Sequence, residues 1–212
     1  MKTEESTTNA EPIDLDTRFV SVYTTATFPQ NGEILEIAVL DAAGTLLFES
    51  YVRPYWHADW AESTQKFGVT PADVATAPPL DVLRPVLQAI LAGQRLVLFN
   101  APMDACSDGL ASLLSETWEV RCAMREFAPA FGDWNTRRRA YRWKSLNEAG
   151  RHVGFEWPRE RRRARHDALA TRAIWQYLEE TVAPEQRLLQ QAVWVPLVIS
   201  AAADPLNGAV AR

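Results

Sequence analysis

The sequence predicts an α/β protein built on a mixed sheet, with three consecutive strands antiparallel at least in part, parallel strands after them, and helices on both faces. Two observations carry this. Three apolar runs follow one another at hairpin distances between residues 19 and 52, and beyond them helical and extended patterns alternate, the signature of strands crossing over through helices. The third observation is the stretch Arg95-Leu-Val-Leu-Phe-Asn-Ala-Pro-Met-Asp104. Its apolar run is too short for a helix and fits a buried strand. Asn100-Ala101-Pro102 ends the run, and Pro102 suits the first turn of a following helix that carries Asp104. A carboxylate is thereby expected over the carboxyl end of a central strand, where open α/β sheets place ligands.

The elements follow in order. Phe19 to Tyr23, Ile34 to Val39 and Leu46 to Val52 read as strands, with Asn31-Gly32 and Ala43-Gly44 as turn signals. Trp60 to Phe67 reads as a short helix closed by Gly68. Thr70-Pro71-Ala72-Asp73 opens another turn of helix, with Thr70 as cap and Pro71 at the first position. Leu80 to Leu91 has apolar residues at helical spacing. The central strand and the Asp104 helix come next. Trp118 to Ala123 reads as a strand, Met124 to Phe131 as a helix, Gly132 to Ala140 as an Arg-rich loop, and Trp143 to Val153 and His166 to Glu180 as helices. Residues 1–17 read as a loose acidic and polar tail, 18–182 as the folded domain, and 183–212 as a helical extension ending in small residues.

Hydrophobic residues make up 47% and charged residues 23% of the chain, an ordinary globular composition rather than a disordered one. The net charge of −5 is uneven: residues 1–120 carry −11 and residues 121–212 carry +6. The basic half holds Arg137-Arg138-Arg139 and the cluster Arg159 to Arg165, a pattern suited to phosphates and equally common on solvated faces. Cys106 and Cys122 lack metal-ligand spacing and point to a reducing, cytoplasmic setting. The long apolar stretch Ala192 to Ala203 is interrupted by Pro196 and is too short for a membrane span, which needs about 20 apolar residues. There is no G-x-S-x-G motif and no Gly-rich phosphate loop, so neither a serine hydrolase nor a P-loop protein is expected. Of the eight tryptophans, Trp143 and Trp175 have helical apolar spacing and are expected in the core, whereas Trp134, in the Arg-rich loop, is the better candidate for contact.

Several segments, in order, resemble the proofreading-type 3′–5′ exonucleases, the DEDD family exemplified by the epsilon subunit of bacterial DNA polymerase III, which have a ribonuclease H-like fold. Phe67-Gly68-Val69-Thr70 with Asp73-Val74 and Ala77-Pro78-Pro79 resembles the family's HGIT…DV…APP segment. Asn100-Ala101-Pro102-Met103-Asp104 resembles its HNAPFD motif. Trp143-Lys144-Ser145-Leu146 with Ala149 and Gly154 resembles the helix before its third motif, and Asp167-Ala168-Leu169-Ala170-Thr171 resembles the DALAT of that motif. The resemblance spans about residues 18–180. It implies metal-dependent phosphodiester hydrolysis, in which four carboxylates hold two metal ions and a histidine or tyrosine acts as base.

The first motif departs from that pattern. Tyr23 stands where the family has the metal-bridging Asp, and Thr25 where it has Glu; no acidic residue lies between Arg18 and Gln30. Glu33 and Glu36 match acidic positions that the family carries outside its metal site. Arg162 occupies the position of the histidine base, His166 is adjacent to Asp167, and Phe99 replaces the histidine before Asn100. The resemblance leaves Asp104 and Asp167 as catalytic or metal-holding candidates, enough for at most one weakly held Mg²⁺ or Mn²⁺, with Asp108 a candidate third ligand. Tyr23, Thr25, Phe99, Asn100, Arg162 and His166 are the nucleic-acid-binding candidates. Arg162 is expected to pair with a remaining carboxylate in place of metal charge, or else to bind phosphate. Three readings stay open: a catalytically impaired exonuclease-like domain that binds single-stranded nucleic acid, a 3′ end or a protein partner; an active exonuclease with a rebuilt site; and an interaction protein with no nucleic-acid affinity. No membrane association is expected.

Overall fold

The computed structural model describes residues 16–25, 32–104, 110, 113, 119–160 and 162–182. Strands β1 (Thr17–Thr24), β2 (Ile34–Leu40), β3 (Leu46–Tyr51), β4 (Arg95–Leu98) and β5 (Glu119–Cys122) form one sheet in the order β3-β2-β1-β4-β5. The pairs β1–β2 and β2–β3 are antiparallel, and β1–β4 and β4–β5 are parallel. The mixed sheet read from the sequence is the one observed.

Side-chain alternation sorts the sheet into two faces. Val20 and Val22 of β1, with Leu96 and Leu98 of β4, pack against Leu83, Leu87 and Leu91 of helix α3 (Leu80–Leu91). Phe19 of β1 and Val97 of β4 join the other core, with Phe127 of α5 (Ala123–Phe131) and Ile174, Trp175 and Leu178 of α7 (Ala164–Thr181). β2 is buried at all its positions because both faces are covered. β3 is an edge strand, and its leucines Leu46 and Leu47 are exposed.

Short helices are placed by local chemistry. α1 (Ala61–Phe67) stops at Gly68, whose φ of 75° is a left-handed conformation that favours glycine. α2 (Pro71–Val74) opens with a capping box between Thr70 and Asp73. α4 (Ala101–Asp104) follows β4 directly. α6 (Leu146–His152) opens with a second capping box, between Ser145 and Glu148.

Three expectations are corrected. The segment 132–140 is not a plain loop: Trp134–Asn135 (β6) and Ala140–Tyr141 (β7) pair as an antiparallel hairpin. α6 starts at Leu146 rather than at Trp143, because the Ser145 side chain accepts the Glu148 amide and fixes the helix entry there. Trp143 consequently lies outside the helix and is 61% exposed, not in the core, whereas Trp175 is buried. Asp108, Cys106, Trp118 and the segment 183–212 lie outside the described residues. Among the described residues no helix is long and apolar enough to cross a membrane.

Candidate functional site

A cavity of about 440 Å³ opens at the carboxyl ends of β1 and β4. Its walls come from elements distant in sequence. β1 supplies Tyr23, the β4–α4 junction supplies Phe99, Asn100, Met103 and Asp104, and α7 supplies Asp167. Lys66 and Phe67 enter from the end of α1, Ser145 to Asn147 from the start of α6, and Arg162 from the segment before α7.

Arg162 is fixed on three sides. Its Nε donates to Asp167 Oδ1 at 2.5 Å, its Nη1 donates to Asn147 Oδ1 at 3.0 Å, and its guanidinium lies 4.2 Å from the centre of the Trp157 ring. Burial raises the Asp167 carboxyl above its usual range, and the Arg162 guanidinium opposes that shift. Tyr23 stacks on Phe67 with ring centres 4.4 Å apart and planes 13° from parallel. Its buried hydroxyl has no hydrogen-bond partner within bonding geometry, yet it faces Asp167 and Arg162 closely enough to feel both charges. Burial first, and Asp167 second, keep the phenol protonated.

Asp104 is the second cavity carboxylate. Its backbone N–H donates to Asn100 O at 3.0 Å as the first turn of α4 forms. Burial, and then repulsion from Asp167, push its carboxyl up to about 7. A backbone hydrogen bond at Asn100, and then Lys66, oppose this. The site therefore holds one ion-paired carboxylate and one whose carboxyl is raised by burial and by its neighbour's charge.

Of the eight candidates that fall on described residues, six line this cavity: Tyr23, Phe99, Asn100, Asp104, Arg162 and Asp167. Two do not. Thr25 Oγ1 accepts the Glu33 amide at 3.0 Å while the Thr25 amide donates to Glu33 O, so its side chain closes the end of the hairpin. His166 Nδ1 accepts the Arg163 amide at 3.1 Å, and its Nε2 faces Glu160 and Arg165, so the imidazole caps α7 instead of facing the cavity. Glu33 and Glu36 lie outside the cavity, as expected. Glu33 accepts the amides of Tyr55, Trp56 and His57. Fully buried Glu36 pairs with Arg163 and accepts the Ala164 amide, tying the start of α7 to β2. Lys66, Phe67, Asn147 and Trp157 were not singled out as site residues. Phe67 alone carried a signal, through its HGIT-like segment.

No protein-family model matches the chain. An uncharacterized exonuclease of Escherichia phage 186 is 27% identical over 171 residues, covering 75% of this chain and 86% of the phage protein. Escherichia coli exonuclease I in complex with a dT13 oligonucleotide superimposes with a TM-score of 0.65 at 11% identity, over 84% of this chain and 43% of that one. The chain has the exonuclease I fold. Cell-death related nuclease 4 superimposes with a TM-score of 0.54 at 13% identity, over 79% of this chain and 64% of that one. The chain spans less than half the length of the exonuclease I chains it matches.

An E. coli exonuclease I complex with single-stranded DNA has been crystallised in a zinc-bound form. The described residues do not fit a two-metal centre. Among the described residues no group of three His, Cys, Asp or Glu side chains converges as a metal site, and one of the two cavity carboxylates is already paired with Arg162. What the cavity offers is a fixed guanidinium, an ammonium at Lys66, a protonated phenol and the apolar walls of Phe67, Phe99 and Met103. Such a set can take a phosphate and an adjoining base.

Proposed function

We propose that this protein is a catalytically impaired, exonuclease-like domain that binds single-stranded nucleic acid at or near a 3′ end without cutting it efficiently. The observation that carries the reading is the Arg162–Asp167 ion pair. A guanidinium neutralises the carboxylate that would otherwise face the cavity unpaired, and Tyr23 adds a neutral hydroxyl beside it. Positive charge is thus supplied by the chain itself. Hydrolysis would still need an activated water, and the two carboxylates and one fixed arginine supply no metal pair to generate it. The oligonucleotide complexes of exonuclease I support single-stranded DNA as the ligand class.

The test is digestion of 3′-labelled single-stranded DNA and RNA in Mg²⁺ or Mn²⁺, beside the Asp104→Asn/Asp167→Asn protein, with binding to the same strands recorded in parallel. Salt-sensitive binding with no digestion by either protein is the expected result. Digestion that disappears in the double variant would overturn the reading in favour of a rebuilt active site. Absence of both digestion and binding would overturn it in favour of a protein-interaction role.

A further inference from the structure

The β6–β7 hairpin is an exposed feature with no part in the cavity. Its strands are only two residues each, with Trp134 opposite Tyr141 and Asn135 opposite Ala140. The base is held rigidly. Asp133 pairs with Arg142 and Lys144, and the Arg142 amide donates to Asp133 O. Asn135 Oδ1 accepts the Arg138 amide at 3.0 Å and shapes the turn. The turn closes through Arg139, the one non-glycine among the described residues with positive φ, at 50°.

The charges divide sharply between base and tip. The cations at the base are neutralised by Asp133, whereas Arg137, Arg138 and Arg139 at the tip are exposed and have no carboxylate within ion-pair distance among the described residues. Beside them stand exposed aromatic rings. Trp134 and Tyr141 meet edge to face at 4.9 Å, and Trp143 follows, 61% exposed, with the Arg125 guanidinium 5.6 Å from its centre. Aromatic faces interleaved with exposed guanidinium groups match the chemistry of a single strand, whose bases stack and whose phosphates repeat. The chain then runs directly from Lys144 into Ser145, Leu146 and Asn147, which form a wall of the cavity.

We infer that the hairpin of residues 134–143 is a second, sequence-independent grip on single-stranded nucleic acid, which holds the strand outside the cavity. Its phosphates would lie on the three tip arginines and its bases on Trp134 and Trp143. The inference takes its ligand class from the function proposed above.

The test is fluorescence anisotropy with a labelled oligothymidylate of about 20 nucleotides, longer than the ~4–16 that one compact site covers, titrated across salt concentrations. The native chain is compared with Arg137→Ala/Arg138→Ala/Arg139→Ala, its Lys counterpart, Trp134→Ala/Trp143→Ala and Arg162→Ala. The triple Ala variant is expected to bind about tenfold or more weaker and to lose about 2 from the slope of log K against log salt, while the Lys variant keeps the slope. The Trp variant is expected to weaken about fivefold or more with the slope retained. These residues are exposed, so unchanged melting temperatures will exclude unfolding as the cause. Hairpin variants that bind with native affinity and slope would overturn the inference, and if Arg162→Ala alone weakened binding the cavity reading would stand without it. Loss in the hairpin variants with none in Arg162→Ala would support the hairpin and remove the cavity reading. A native chain that binds no strand would sink both.

Discussion

At the scale of the residue, the cavity depends on how its two carboxylates are neutralised. Asp167 is neutralised by Arg162, and removing either partner strands the other in a partly buried site. Arg162→Ala is expected to destabilise the protein by about 1–3 kcal/mol, a figure reduced because the guanidinium remains partly in solvent. Asp167→Asn in the same chain should recover much of that loss, and a double-mutant cycle by urea unfolding measures the coupling. Burial makes the Asp104 carboxyl hold its proton more strongly. Its folded carboxyl sits at about 7, above an unfolded value near 4, so the folded state binds more protons between those limits. Stability contributed by this group is therefore complete below about pH 4 and falls as the pH rises through 7. Asp104→Asn is expected to melt a few degrees above the native chain at pH 8 and to lose that advantage near pH 4. Binding of anions in the cavity should tighten in the native chain below pH 7 and show no such step in Asp104→Asn.

At the scale of the element, the site is assembled by helix starts. α7 enters beside β2 because buried Glu36 pairs with Arg163 and accepts the Ala164 amide, and this sets where Asp167 points. Glu36→Ala removes the anchor and leaves the guanidinium without its buried partner. It is expected to cost about 3–5 kcal/mol and to speed amide exchange over residues 162–168 more than in α3. α6 enters at Ser145 through its capping box. Ser145→Ala is expected to cost about 1 kcal/mol, read as a lower urea midpoint with an unchanged slope. It should also weaken strand binding, since Ser145 to Asn147 form a cavity wall.

At the scale of the whole molecule, packed cores on both faces of one sheet hold the fold together. The packing that holds the sheet is apolar, one cavity carboxylate is ion-paired with Arg162, and burial raises the other. Folding is therefore expected to be independent of divalent metal. Mg²⁺ in millimolar amounts, or a chelator, should leave the melting temperature unchanged, whereas a ligand bound only to the folded state raises it in proportion to the logarithm of its concentration over Kd.

The sequence by itself determined the sheet, most of the helices and the position of both cavity carboxylates. Strand alternation and the Pro102 helix start are local signals, written in neighbouring residues. The two-residue strands of the hairpin were not legible, since two residues carry no period, and Trp143 followed a helical spacing that the Ser145 cap cuts short. Thr25 and His166 were placed at the site by motif position, yet their side chains serve the backbone of Glu33 and Arg163. The sequence led to the expectation that Arg162 pairs with a remaining carboxylate, and the structure places it on Asp167, five residues on. Tertiary structure alone decided that Phe67 stacks on Tyr23 and that Glu36 reaches Arg163 across 127 residues. Pairings of that kind depend on which elements the packed cores bring together, and no local pattern encodes the distance between side chains so far apart in the chain.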